Sequence, residues 1–195
     1  KGACGSIIGA EEKLNMLDSR SGDGDCGHTL ARGATNILRA LDDGVISCSH
    51  PENVFEKLSA IFEKEVGGTA GALYALMFSA AAGAFNEGTL PSAWLKALEK
   101  GLNAVMRYGE ARPGYRSMVD PLHAAASASK GAQEYTQAFW ENLVKEAERA
   151  AEETARMVAQ CGRASYTAEA NQTEPDPGAI AVATWLRAVY EAAYH

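Results

Sequence analysis

No two cysteines in this sequence form a CxxC. Cys4, Cys26, Cys48 and Cys161 are scattered at spacings that suit neither a zinc site nor a disulfide framework. Free thiols in a reducing compartment are the simpler reading, which implies a cytoplasmic protein. Basic charge is also scarce: 18 lysines and arginines stand against 25 acids, a formal net charge of −7. A nucleic-acid surface needs a basic face, so that class of partner is excluded. A nucleotide is not excluded, because a metal ion can screen its phosphates locally. The most apolar stretch, Ala70 to Phe85, falls short of the roughly 20 residues that a bilayer span requires. It reads as a buried core helix, and no membrane partner is expected. No signal peptide is recognisable. The chain begins at Lys1, which fits one domain of a longer polypeptide or a trimmed product.

Alternation at period two nowhere persists. Apolar residues recur at helical spacing instead. Val54, Phe55, Leu58, Ile61 and Phe62 line one face, and Trp94, Leu95, Leu98, Leu102 and Val105 line another, with Pro91 at its start. Phe139, Leu143, Ala147, Ala150 and Met157 form a long stripe on which Thr154 is the one polar residue. Ile180, Val182, Trp185, Leu186 and Val189 mark a last helix. The fold class is therefore all-α. Eight helices are expected, over 2–19, 28–43, 52–66, 69–86, 91–108, 117–131, 134–160 and 178–193, in one domain over 1–195 with no internal repeat.

The joins carry the unusual composition: SGDGDCGHT, VGGTAG, YGEARPGYRSMVD, CGRASY and EPDPGA. The first three join helices one to two, three to four and five to six. The last two flank the connection from seven to eight. In an up-and-down antiparallel bundle, alternate connections lie at one end, so all five stretches converge on one site.

Asp18, Asp23 and Asp25 crowd around Gly22, Gly24 and Gly27. Such like charges repel, and a divalent metal is the usual offset. Three carboxylates facing one point make a hard oxygen site suited to Mg²⁺ or Ca²⁺. An EF-hand fails on spacing: counted from Asp23, its fifth, sixth and twelfth positions hold Gly27, His28 and Ala34. The competing reading is an Asp/Gly turn that caps the next helix. The backbone N–H groups of Gly27, His28 and Thr29 are expected to be open first-turn donors, able to hold phosphate oxygens. Gly67, Gly68, Thr69 and Gly71 repeat the device, without the GKS or GKT of a P-loop. Arg163 can pair with a phosphate or with a nearby acid. His50, His123 and His195 show no partner spacing, and Cys26 has no nucleophile context beyond a helix N-terminus.

LNMLDSRSGDGDCGHT, GGTAGALY, RPGYRSMVD, GRASY and PDPGA, in this order and spacing, resemble the nucleotide-binding, carboxy-terminal domain of the dihydroxyacetone kinase and triokinase family. The resemblance spans essentially the whole chain. It implies an eight-helix up-and-down barrel holding ATP or ADP with two Mg²⁺ ions at one end. It implies Asp18, Asp23 and Asp25 as metal ligands, with Cys26, Gly27, His28 and Thr29 wrapping the phosphates. Thr69 and Ala70 match the second loop, and Gly109, Ser117 and Met118 the third. Arg163, Asp176, Pro177 and Gly178 close the nucleotide site. The departures are Ala70, where the family has a hydroxyl, and Tyr115 and Ser117 in place of aspartate and threonine.

The form GDGDCG resembles the ATP-dependent single-chain kinases. The phosphotransferase-linked subunits, which hold a fixed ADP, read GDADHG. The resemblance therefore implies transfer of the ATP γ-phosphate to a short ketose or aldose such as dihydroxyacetone. The sugar is held by a separate substrate-binding domain, in an enzyme that dimerises through its full length. Some relatives also split FAD to cyclic FMN, an FAD-AMP lyase activity. No residue here reads as a general base. Three other readings stand beside this one: a non-catalytic nucleotide-binding or regulatory partner, motivated by Ala70 and Tyr115, an ADP-holding phosphotransferase-linked subunit, and a metal-binding bundle without nucleotide.

Overall fold

A computed structural model describes residues 1–86 and 88–195. The described residues are helical, with no strand among them. The helices are α1 (Gly2–Gly9), α2 (Glu11–Ser21), α3 (Cys26–Asp42), α4 (Pro51–Ile61), α5 (Gly68–Ala82), α6 (Pro91–Tyr108), α7 (Val119–Ala128), α8 (Gln137–Glu153) and α9 (Pro177–Tyr194). Each rod packs on the next in chain order, and α9 packs back on α1. The result is a closed up-and-down ring around one apolar core, as expected of an all-α barrel.

Local chemistry sets many of the boundaries. Pro51, Pro91 and Pro177 open α4, α6 and α9, where a missing N–H costs nothing. Thr136 caps α8 by accepting from Phe139 N–H at 3.2 Å. The expected first helix is split in two at Ala10, although Leu14 N–H still donates to the Ala10 carbonyl. With the two halves taken as one rod, the ring has the expected eight members. The expected helix over 134–160 stops at Glu153, followed by a 3-10 turn over Thr154–Arg156. The reason is Thr154 itself. This one polar residue of the stripe is fully buried, and its Oγ1 accepts the backbone N–H of Asp176 at 2.8 Å, tying the end of α8 to the start of α9. Residues 117–118 and 129–131 likewise lie outside α7.

The core mixes alanines with leucine, isoleucine and valine, and an aromatic group lies on one side of it. Phe55, Phe62, Tyr74, Phe78, Phe85 and Trp94 stack between α4, α5 and the head of α6, with ring centroids 4.9–6.2 Å apart. The apolar stretch from Ala70 forms α5, which buries Tyr74, Ala75, Met77, Ala81 and Ala82. No helix among the described residues is long and apolar enough to cross a membrane. On the other side of the ring, Arg187 of α9 forks to Glu148 and Glu141 of α8 at 2.7–3.3 Å.

Gly27 packs α3 against α2. A Cβ there would meet the Glu11 carbonyl oxygen at less than contact distance and Asn15 Oδ1 at 2.8 Å. Gly27→Ala should therefore cost about 1–3 kcal/mol in urea unfolding, because backbone must move. Gly5 sits inside α1 with nothing within 4 Å of its missing Cβ. Gly5→Ala should be stabilising by about 0.5–1 kcal/mol through helix propensity. Equal effects of the two substitutions would contradict the packing argument.

Candidate functional site

The site is built at the junction of α2 and α3. α2 ends at Ser21, and Gly22 follows in an extended conformation. Any side chain at Gly22 would strike the carboxylate of Asp18. The absence of one lets Asp18 fold over the turn, where its Oδ2 accepts from the N–H groups of Asp25 and Cys26 at 3.0 and 3.1 Å. Gly24 takes a left-handed φ of +79°, which turns the chain back towards α3. Asp25 occupies the N-cap position of α3 but makes no side-chain cap bond. Asp18, from the preceding helix, supplies the acceptor and the negative charge at the helix N-terminus.

One carboxylate oxygen from each of Asp18, Asp23 and Asp25 lies within 4.8 Å of the others. Oxygens on opposite sides of a Ca²⁺ ion stand about 5 Å apart and around Mg²⁺ about 4 Å. The donor set is all hard oxygen, and a small rotation of the exposed Asp23 and Asp25 side chains would fit it to either ion. Arg163 Nη1 forms an ion pair with Asp23 Oδ2.

The first turn of α3 departs from expectation. His28 N–H donates to Asn15 Oδ1 at 3.0 Å, and Thr29 N–H to the Asp25 carbonyl at 2.9 Å. These two groups are engaged rather than open: α2 presents Asn15 to His28, and Thr29 closes the first helical hydrogen bond of α3. The His28 ring pairs with Glu11 at 3.2 Å. The Cys26 thiol is pushed up to about 12, by burial first and then by Asp18, Asp176 and Asp25, so it stays protonated and is no nucleophile.

The second loop begins with a π turn over Phe62–Val66, whose last carbonyl accepts from the Arg32 guanidinium of α3. Gly67 and Gly68 follow with φ of +70° and +64°. No side chain caps α5, so the first-turn donors at Gly68, Thr69 and Ala70 point out of the helix end. Among the described residues no hydrogen bond or ion pair links Thr69 or Ala70 to the aspartates. At the end of α6, Gly109 lies against Leu73 of α5.

The third loop folds around Asp120. Its buried carboxylate accepts from Gly114 N–H at 2.5 Å and Ser117 N–H at 2.8 Å. Arg116, only 1% exposed, takes a left-handed φ of +58° that turns its side chain into the protein. Its Nη2 donates to the Glu174 carbonyl at 2.8 Å, and its Nη1 lies 3.9 Å from Asp176 Oδ1. Nε and Nη1 are buried without a hydrogen-bond partner. Asp176 Oδ2 caps α9 by accepting from Ala179 N–H at 2.8 Å. Gly178 places α9 against Met118, and Ser117 Oγ accepts from Val119 N–H at 3.2 Å.

Residues 157–176 form an excursion between α8 and α9. Gln160 N–H donates to the Tyr115 carbonyl at 3.2 Å. Buried Gln172 holds Ala159 N–H, the Ala164 carbonyl and the Thr167 carbonyl at 2.7–3.1 Å. Asp18, Asp23, Asp25, Cys26, Arg163, Asp176, Ser117 and Met118 are thus joined at one end of the ring. The supporting residues Asn15, Arg116, Asp120 and Gln172 were not picked out from the sequence, and Thr154 stood out only as the polar residue of its stripe. Asn15 sits one helical turn before Asp18, and Arg116 and Asp120 lie inside RPGYRSMVD, so proximity to a motif was the signal available.

Comparison with known proteins follows this geometry. A model of the DAK2 domain matches residues 20–191. The chain is 44% identical over 196 residues to the human protein named triokinase/FMN cyclase, a match covering 96% of this chain and 33% of that protein. The crystal structure of the dihydroxyacetone kinase of C. freundii in its native form superposes with a TM-score of 0.82 at 26% identity, over 98% of this chain and 33% of that one. The structure of the C. freundii enzyme in complex with AMP-PNP and Mg²⁺ gives 0.79 at 26% identity, over 98% and 32%. The chain thus spans about a third of the length of these relatives.

Asp176 yields a prediction. Burial raises its carboxyl to about 6, against the lowering effects of the Ala179 N–H and Arg116, with Asp120 and Asp18 adding to the rise. In the folded state it therefore holds its proton to higher pH than in the unfolded chain. Its contribution to stability is most favourable below about pH 4 and is lost as pH rises towards 6. Melting temperature against pH should show this downward component in the wild type, and Asp176→Asn should flatten it. An unchanged profile in the variant would refute the assignment.

Proposed function

The chain belongs to the DAK2 domain family, and on that premise we propose that it is the ATP-binding domain of a dihydroxyacetone or triose kinase. The observation that carries this reading is the trio of Asp18, Asp23 and Asp25 set at the head of α3. A protein of the same fold was crystallised with AMP-PNP and Mg²⁺, which supports Mg²⁺ together with ATP or ADP here; the assignment of two ions comes from the family resemblance alone.

In this reading the three aspartates hold the metal ions. When bound, the metal would supply positive charge that offsets the charge developing in transfer. The open N–H groups at Gly68, Thr69 and Ala70 receive the phosphates, and the turn of Cys26, Gly27, His28 and Thr29, in which the Cys26, His28 and Thr29 N–H groups are already taken up by the protein, wraps beside them. Ser117 and Met118, with Gly109, Asp176, Pro177 and Gly178, line the nucleotide, and Arg163 closes over it. Tyr115 contributes its backbone carbonyl to Gln160, so its departure from the family residue leaves this backbone tie in place.

The acceptor, a short ketose or aldose, is held by another domain, in line with the third of the relatives' length that this chain spans. That enzyme is cytoplasmic and dimerises through its full length. The cyclase activity named for the human relative would use the same metal–nucleotide site, since FAD also carries a diphosphate.

Two outcomes test the reading. Asp25→Asn should abolish Mg·ATP binding by calorimetry, with helix content by circular dichroism intact. Asp25 caps nothing, so its loss should remove metal affinity and little structure. Nucleotide binding that persists unchanged would remove the metal-site reading. The isolated chain, given Mg·ATP and dihydroxyacetone, should form no measurable sugar phosphate, because positioning supplies most of the catalysis in phosphoryl transfer. Adding a substrate-binding domain in trans should restore it. Robust product from the chain alone would place the acceptor site here instead.

A further inference from the structure

The three carboxylates of the cluster are not equivalent. Asp18 is engaged by two backbone N–H groups of α3, and Asp25 makes no cap bond. Asp23 is the one with a cationic side chain on it, Arg163. Part of the mutual repulsion is therefore offset by a guanidinium that belongs to the protein. That guanidinium comes from a 3-10 turn over Arg163–Tyr166, entered through Gly162 at a left-handed φ of +67°. The turn lies between two anchors, Gln160 on the Tyr115 carbonyl and Gln172 inside the excursion. The ion pair joins this turn to the acid loop. Arg163 is 64% exposed and Asp23 48%, so the pair is held weakly and exchanges readily.

Resting on the metal reading above, we propose that Arg163 is a built-in counter-ion that competes with the divalent cation for Asp23. A guanidinium and a metal ion are both drawn to the Asp23 carboxylate and repel one another across it, so each weakens the other's hold. Metal entry at Asp23 displaces Arg163 and loosens the 162–167 turn from the acid loop. The freed arginine then becomes available to a second anion, the phosphate chain that arrives with the metal. This makes the order of events directional: the metal opens the excursion, and the phosphate draws it back.

The competition has a signature opposite to that of a simple structural contact. Removing Arg163 should tighten binding of Mg²⁺ alone and weaken binding of Mg·ATP. The test is calorimetric titration of the full chain with MgCl₂ without nucleotide, for wild type, Arg163→Gln and Arg163→Lys. An exposed pair of this kind corresponds to about a two- to fivefold gain in Mg²⁺ affinity for Arg163→Gln. Arg163→Lys, which keeps the charge, should stay near wild type. Hydrogen exchange gives a second readout. Mg²⁺ alone should speed exchange across 162–167 in the wild type and leave it unchanged in Arg163→Gln. Equal or weaker Mg²⁺ binding by Arg163→Gln, in a chain where the wild type does bind Mg²⁺, would overturn the competition while leaving the metal site standing. A wild type and variant that both fail to bind Mg²⁺ would overturn the metal reading, and the competition with it.

Discussion

The hydrogen bonds from Asp25 and Cys26 to Asp18 Oδ2 are the constraint on which the site depends. They do two things at once. They terminate α2 against the start of α3, so that the turn between them has one shape. They also bring the Asp18 carboxylate beside those of Asp23 and Asp25, where its charge is balanced by the N-terminus of α3. Gly22 is required because its missing side chain is the space that Asp18 fills. Gly27 is required because α3 must lie close enough to α2 for the reach to succeed.

A second layer of buried polar residues sets the other loops around this junction. Asp120 gathers the backbone of the third loop, and Arg116 reaches from that loop to Glu174 and Asp176. Thr154 and Gln172 fix the two ends of the excursion. Burying such groups is costly unless they are bonded. Most of these bonds go to backbone, so they define loop shape more than they add net stability. Arg116 is the exception, since two of its nitrogens are buried without partners. Its positive charge stands 3.9 Å from Asp176, in a neighbourhood of several carboxylates that a neutral residue would leave less balanced.

How legible this was depends on the range of each interaction. The helical period, the proline that opens α6, and the three aspartates with their glycines all act within a turn or two of chain. They read correctly from the residues. The split at Ala10 and the end of α8 at Glu153 did not. Thr154 carries no local stop signal, and it ends the helix because Asp176, on a different helix, needs its oxygen. The first-turn donors of α3 were misread for the same reason. Asn15 occupies one of them from the neighbouring helix, and no pattern within the GDGDCGHT stretch announces it.

By itself, then, the amino-acid order determined an all-α chain, the sites of its turns and an oxygen-rich cluster at Asp18, Asp23 and Asp25. Those follow from periodicity and from the chemistry of residues that are neighbours in the chain. Only the tertiary structure decided that α9 closes the ring on α1, that Asp18 rather than Asp25 caps α3, that Arg116 is buried and that Arg163 finds Asp23. Each of these joins residues that meet only once the helices are packed. Packing ranks competing partners by distance and burial, which a linear spacing does not record.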